Sequence, residues 1–188
     1  MQEWSDVYFV SSNKHKYLES KKILSSFGIK LGFFKAKLLE IQSDSLSEIA
    51  RLKALDAFSK CKKPIIIEDD ALVVDSLGGF PGPYSSYVYD TIGNTGIVKL
   101  TQKNRRAKFY ATISYCDKKT KPILFQGITP GKIAKKIAKG GWGYDPIFIP
   151  EGKTKTYAEI SDKNTLSHRY RALEKFASWY VCMQKYTD

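Results

Sequence analysis

The chain has 188 residues and a net charge of +12, from 31 Lys and Arg against 19 Asp and Glu. That length suits a single domain over residues 1–188, or one domain in two lobes, and no apolar run approaches the roughly 20 residues of a membrane span. The basic residues are scattered and form no tail, which fits an anionic ligand such as phosphate better than a nucleic-acid-binding module.

The N-terminal Met1–Asp6 lacks the basic and apolar regions of a secretory signal. Cys61, Cys116 and Cys182 lie far apart without metal-ligand spacing, as expected of incidental thiols in a reducing cytosol. A cytoplasmic protein is therefore expected. Asp6 to Val10 predicts a strand, and Lys14 to Phe27 a helix closed by Gly28. Between them run Ser11, Ser12, Asn13, Lys14, His15 and Lys16. A strand-to-helix turn of hydroxyls, amide and cations suits phosphate, although Ser or Asn there also serves simply as a helix cap. It is not a glycine-rich P-loop.

Leu31 to Ala36 predicts a second strand, and Ser45 caps a helix to about Lys60, with Glu48 placed as in a capping box. On that helix Lys53 falls inside the apolar stripe of Leu46, Ile49, Ala50, Ala54 and Ala57. An inward ammonium requires an anion or a watery cleft, unless it snorkels at the stripe's edge. Pro64 to Ile67 predicts a buried strand delivering Glu68, Asp69 and Asp70 to its C-terminal edge, where α/β sheets hold ligands. Three adjacent carboxylates repel one another unless a cation sits among them, and a hard metal ion is the simplest one. Glu40, another acid in an apolar setting, could join Glu68 and Asp69 at that metal. A solvated acidic turn is the plainer alternative.

Thr95 to Gln102 predicts a helix. Lys108 to Tyr115 and Ile123 to Ile128 predict a strand pair around an Asp117–Lys121 turn. Trp142, Gly143, Tyr144 and Asp145 form a glycine-borne aromatic loop able to stack on a base, or simply to bury its Trp, before a short strand at Ile147–Ile149. Lys163, His168 and Arg169 offer directed donors at the start of a last helix, Thr165 to Tyr186. Strands alternating with helices, plus one hairpin, predict a mixed α/β sheet.

These segments, in order over nearly the whole chain, resemble the inosine triphosphate pyrophosphatase family, which hydrolyses non-standard purine nucleoside triphosphates. The resemblance is carried by Ser12-Asn13-Lys14-x-Lys16, Leu39-Glu40-Ile41-Gln42, Ala50-Arg51-x-Lys53-Ala54 and Glu68-Asp69. It continues through Val74-Asp75-x-Leu77-Gly78-Gly79-x-Pro81-Gly82, Gly143-Tyr144-Asp145-Pro146-Ile147-Phe148 and Ser167-His168-Arg169. It implies an elongated mixed sheet with flanking helices, two lobes around a central cleft, and a homodimer. It further implies hydrolysis of ITP, dITP or XTP to the monophosphate and pyrophosphate with magnesium (Mg²⁺), Asp69 as general base, and Glu40, Asp69 and adjacent Glu68 at the metal. Ser11 to Lys16, Lys53 and Asp70 would then line the triphosphate, and Trp142 to Asp145, Lys163, His168 and Arg169 the base and sugar. Asp70 stands where the family usually has Ser or Thr, and Ala71 where it often has Gly. A Maf-type pyrophosphatase acting on other modified nucleotides is the alternative within enzymes.

Overall fold

The computed structural model describes residues 5–185; Met1–Trp4 of the N-terminal segment read above and the expected helix end at Tyr186 lie outside that range. Seven strands form one mixed sheet in the order β2-β1-β3-β5-β6-β7, with β4 paired to β3. They are β1 (Val7–Ser11), β2 (Leu31–Lys35), β3 (Ile65–Val74), β4 (Pro81–Gly82), β5 (Arg106–Cys116), β6 (Ile123–Ile133) and β7 (Phe148–Pro150). Both β2 and β3 pair parallel to β1, whereas β4 on β3 and β7 on β6 are antiparallel. The helices are α1 (Lys14–Ser25), α2 (Leu46–Cys61), α3 (Ser85–Thr91), α4 (Gly93–Leu100) and α5 (His168–Gln184). None of the described helices is long and apolar enough to cross a membrane.

The chain divides into two compact units. The first comprises residues 1–69, 111–127 and 169–188, the second residues 70–110 and 128–168. In the first, strand periodicity sorts side chains between two apolar clusters. Val7 and Phe9 of β1 and Ile66 of β3 pack with Ile23 and Leu24 of α1 and with Leu173, Phe176 and Tyr180 of α5. Their neighbours Val10, Ile65 and Ile67 pack instead with Ala50, Ala54 and Ala57 of α2. The Ile65-Ile66-Ile67 run is uninterrupted because this strand is covered on both faces.

Local signals are honoured with adjustments. Ser45 Oγ accepts the Glu48 N–H, as a cap should, but the Glu48 carboxylate turns to Ser43 Oγ and leaves the capping box half made. Asp117 Oδ1 ties the β5–β6 turn by accepting from the N–H groups of Lys119 and Thr120. The largest departure concerns β3. It does not stop before the acids but continues through Glu68, Asp69 and Asp70 to Val74, so the carboxylates stand within a strand and not at its edge. Ladder pairing beyond the acids, Leu72 with Gly82 and Val73 with Pro81, carries the strand on. The helix α3, made of Ser, Tyr, Asp and Thr with a single Val, carries no apolar stripe and was not expected.

In the second unit, Leu72, Val74, Ile97, Phe109, Ile147, Phe148 and Tyr157 form the core. Gly131 of β6 lies so close to β7 that a Cβ there would stand 2.3 Å from the Ile149 carbonyl oxygen and 2.7 Å from the Phe148 ring. Two of those neighbours are strand backbone or packed aromatic, so they cannot move aside cheaply. Gly131→Ala is expected to destabilise the protein by about 1–3 kcal/mol, read from urea unfolding, as overpacking does. An unchanged midpoint would contradict that close approach.

Candidate functional site

Because successive residues of a strand face opposite ways, Glu68 follows Ile66 toward α5, and Asp69 follows Ile67 toward α2. Each meets its own cation. Arg169, at the start of α5, clasps Glu68 with two parallel bonds, Nε to Oε2 at 2.7 Å and Nη2 to Oε1 at 2.6 Å. Its Nη1 donates to Glu19 Oε2 of α1. The Arg169 side chain is 1% exposed and that of Glu68 is 0% exposed, so the fork geometry joins three elements in a dry interior.

On the other face Lys53 Nζ donates to Asp69 Oδ1 at 2.5 Å and lies 3.0 Å from Glu40 Oε1. The inward lysine thus has an anion, and the protein supplies it. Glu40, with a side chain 75% exposed, comes from the irregular segment before α2, while Asp69 is buried. Asp69 Oδ2 is buried without a hydrogen-bond partner. A buried carboxylate oxygen left unsatisfied is costly, and this one stands beside the Lys53–Glu40 pair, where a ligand or cation could satisfy it.

Glu68 and Asp69 thus point to opposite faces of β3, each paired with a different cation. Both oxygens of Glu68 are taken by Arg169, and among the described residues no group of three or more His, Cys, Asp or Glu is arranged to hold a metal. Glu40 and Asp69 remain as the hard oxygen donors that approach each other, with Lys53 between them. They fit a divalent cation in chemistry and in the uncommitted Oδ2. Arg169, expected at the base and sugar, is placed between the two carboxylates of Glu68 and Glu19.

At the first turn Asn13 acts as the helix cap. Its Oδ1 accepts the N–H groups of His15 at 2.9 Å and Lys16 at 3.2 Å, and Ser11 Oγ accepts the N–H of Asn13. The plain reading holds for Asn13, and the backbone N–H groups it takes are not available to phosphate. Ser12, Lys14 and His15 are exposed.

The second unit gathers the aromatic loop. Lys163 Nζ donates to Asp145 Oδ2 at 2.7 Å, and it stands 5.2 Å from the Trp142 ring centroid and 5.7 Å from that of Tyr157. A buried ammonium between a carboxylate and two ring faces is satisfied on several sides. His168 is buried, with its ring stacked on Phe109 at 4.3 Å and 6°. Tyr144 Oη donates to the Ser85 carbonyl at 2.8 Å. Burial, followed by the nearby charges of Asp90, Tyr89 and Asp70, pushes its phenol well above the usual range, so it remains a donor. Ser85 Oγ in turn accepts from Leu72 N and donates to the Gly82 carbonyl. Gly141, at φ +69°, brings the loop within 2.9 Å of Ala158 for any added Cβ.

Sequence reasoning missed Glu19, Ser85 and Phe109. Glu19 was findable, since it precedes Ile23 by one helical turn and so shares the inward face, the argument that singled out Lys53. Arg169→Met is expected to cost about 3–5 kcal/mol of stability, because Glu68 and Glu19 would be left facing each other without a cation. Thermal unfolding checks this, with Glu68→Gln added to Arg169→Met expected to recover much of the loss.

Residues 7–179 match the model of the Ham1 family. The dITP/XTP pyrophosphatase of Methanopyrus kandleri is 46% identical, with 93% of this chain and 95% of that one covered. The dITP/XTP pyrophosphatase of Methanothermobacter marburgensis is 42% identical over 93% of this chain and 96% of its own. Among solved structures, a HAM1 protein from Coxiella burnetii superposes with a TM-score of 0.81 at 25% identity, covering 95% of this chain and 99% of that one. On a family match spanning most of its length, and on relatives of this identity, the chain belongs to the Ham1 family.

Proposed function

We propose that the protein hydrolyses non-standard purine nucleoside triphosphates, such as dITP, XTP and ITP, to the monophosphate and pyrophosphate. The observation that carries this reading is the Glu40–Lys53–Asp69 cluster with its uncommitted Asp69 oxygen, in a chain similar to dITP/XTP pyrophosphatases. Asp69 is the proposed base, held by the strand so that Oδ2 can accept the proton of the attacking water. Glu40 and Asp69 would hold Mg²⁺, which supplies neutralisation of phosphate charge and easier loss of a proton from water. Lys53, Lys14, Lys16 and the Ser11–Ser12 hydroxyls are the proposed partners of the phosphates. Asp70, adjoining Asp69, would tune that charge balance.

Trp142 supplies a flat face for the purine, its loop fixed by the Lys163–Asp145 pair. His168 and Lys163 are proposed to favour a 6-keto oxygen. Adenine presents an amino group there and leaves donors unpaired, which is what makes such a site selective. The reading also holds the protein to be a cytoplasmic homodimer.

Pyrophosphate release over a panel of nucleotides, with and without Mg²⁺, tests the reaction. The expected outcome is kcat/KM for dITP or XTP at least about 100-fold above that for ATP, with pyrophosphate and monophosphate as products. Release of orthophosphate, or equal use of ATP, would contradict it. Trp142→Ala is expected to raise KM for dITP about tenfold or more, the size of a lost stacking contact. Steady-state kinetics on the folded variant checks that, and an unchanged KM would remove Trp142 from the base site.

A further inference from the structure

The Lys53 ammonium stands between the two carboxylates to which a metal role was assigned above. It bridges Asp69 Oδ1 and Glu40 Oε1 at 2.5 and 3.0 Å, and its side chain is only 12% exposed. The two carboxylates come from different segments, Asp69 from β3 and Glu40 from the stretch before α2, and Lys53 is the side chain that contacts both. Lys53 itself lies on α2 beside Ala50, Ala54 and Ala57, all fully buried, and four methylenes separate its ammonium from that packed backbone. We propose that Lys53 is a resident counter-cation. It holds Glu40 and Asp69 together in the substrate-free protein, and a divalent cation must displace it from both. The displaced ammonium is then the group left to meet phosphate.

Two facts favour displacement over coexistence. Asp69 Oδ1 already spends itself on the ammonium, so a cation reaching only the uncommitted Oδ2 would lack the second donor and Glu40. Two cations within bonding distance of one carboxylate also repel each other strongly in a partly buried setting. This inference rests on the proposed metal role of Glu40 and Asp69, and its test separates the two.

The experiment is direct Mn²⁺ binding to the substrate-free protein, read by electron paramagnetic resonance of the free ion. Variants are Lys53→Met, Asp69→Asn, and Lys21→Met as a control. Lys21 is exposed on α1, so its loss changes net charge by the same amount while leaving Glu40, Lys53 and Asp69 in place. The expected result is weak binding by the wild type and by Lys21→Met, about tenfold or more tighter binding by Lys53→Met (~1.4 kcal/mol), and loss with Asp69→Asn. Equal or weaker binding by Lys53→Met, with Asp69-dependent binding intact in the wild type, would overturn the displacement while leaving the metal role standing. Binding that ignores Asp69, or none in any variant, would overturn both. Should Lys53→Met fail to fold, acetic anhydride labelling of wild-type Lys53, followed by mass spectrometry, decides instead. A several-fold rise in labelling at saturating Mn²⁺ supports release of the ammonium, and an unchanged rate contradicts it.

Discussion

Two neighbouring carboxylates on one strand cannot share a cation when the strand points them to opposite faces. That constraint, imposed on Glu68 and Asp69 by the pleat of β3, organises the first unit. Each acid lies where water is largely excluded, so each needs a positive partner delivered from the helix covering its own face. Helix α5 delivers Arg169 to one and helix α2 delivers Lys53 to the other.

The two cations are not interchangeable. The guanidinium presents a planar fork that satisfies both Glu68 oxygens at once and still reaches Glu19, which suits a permanent buried joint. An ammonium is a point charge on a flexible stem; it takes one oxygen of Asp69, approaches Glu40 and leaves the other Asp69 oxygen uncommitted. One cluster is closed and the other open. Buried ion groups of the closed kind bring little net stability, since desolvation offsets much of the attraction, but losing one member is severe. Their contribution here is to fix the backbone direction from which Asp69 projects.

Much of this was legible before the structure. The apolar run of β3, the Ser45 cap, the hairpin around Asp117 and the inward position of Lys53 followed from periodicity and hydrogen-bonding chemistry, and the motifs pointed to the family. What escaped was the continuation of β3 through three acids, because charged residues read as a strand's end unless their partners, 101 residues away for Arg169, are known. The same gap in long-range information separated Arg169 from its carboxylate partners and hid Glu19. Helix α3 was missed because it lacks an apolar stripe and is placed by Ser85, whose hydroxyl binds Leu72 and Gly82.

Adjacent acids of one strand are thus assigned separate work, Glu68 in structure and Asp69, as proposed, in chemistry. The most direct measurement compares Glu68→Gln and Asp69→Asn for both turnover of dITP and thermal midpoint. Asp69→Asn is expected to lose about 100-fold or more in kcat with little change in midpoint. Glu68→Gln is expected to unfold several degrees lower, roughly 2–4 °C for each kcal/mol in a chain this long, while keeping most of its kcat when assayed folded. Equal losses of kcat at equal midpoints in the two variants would contradict the division.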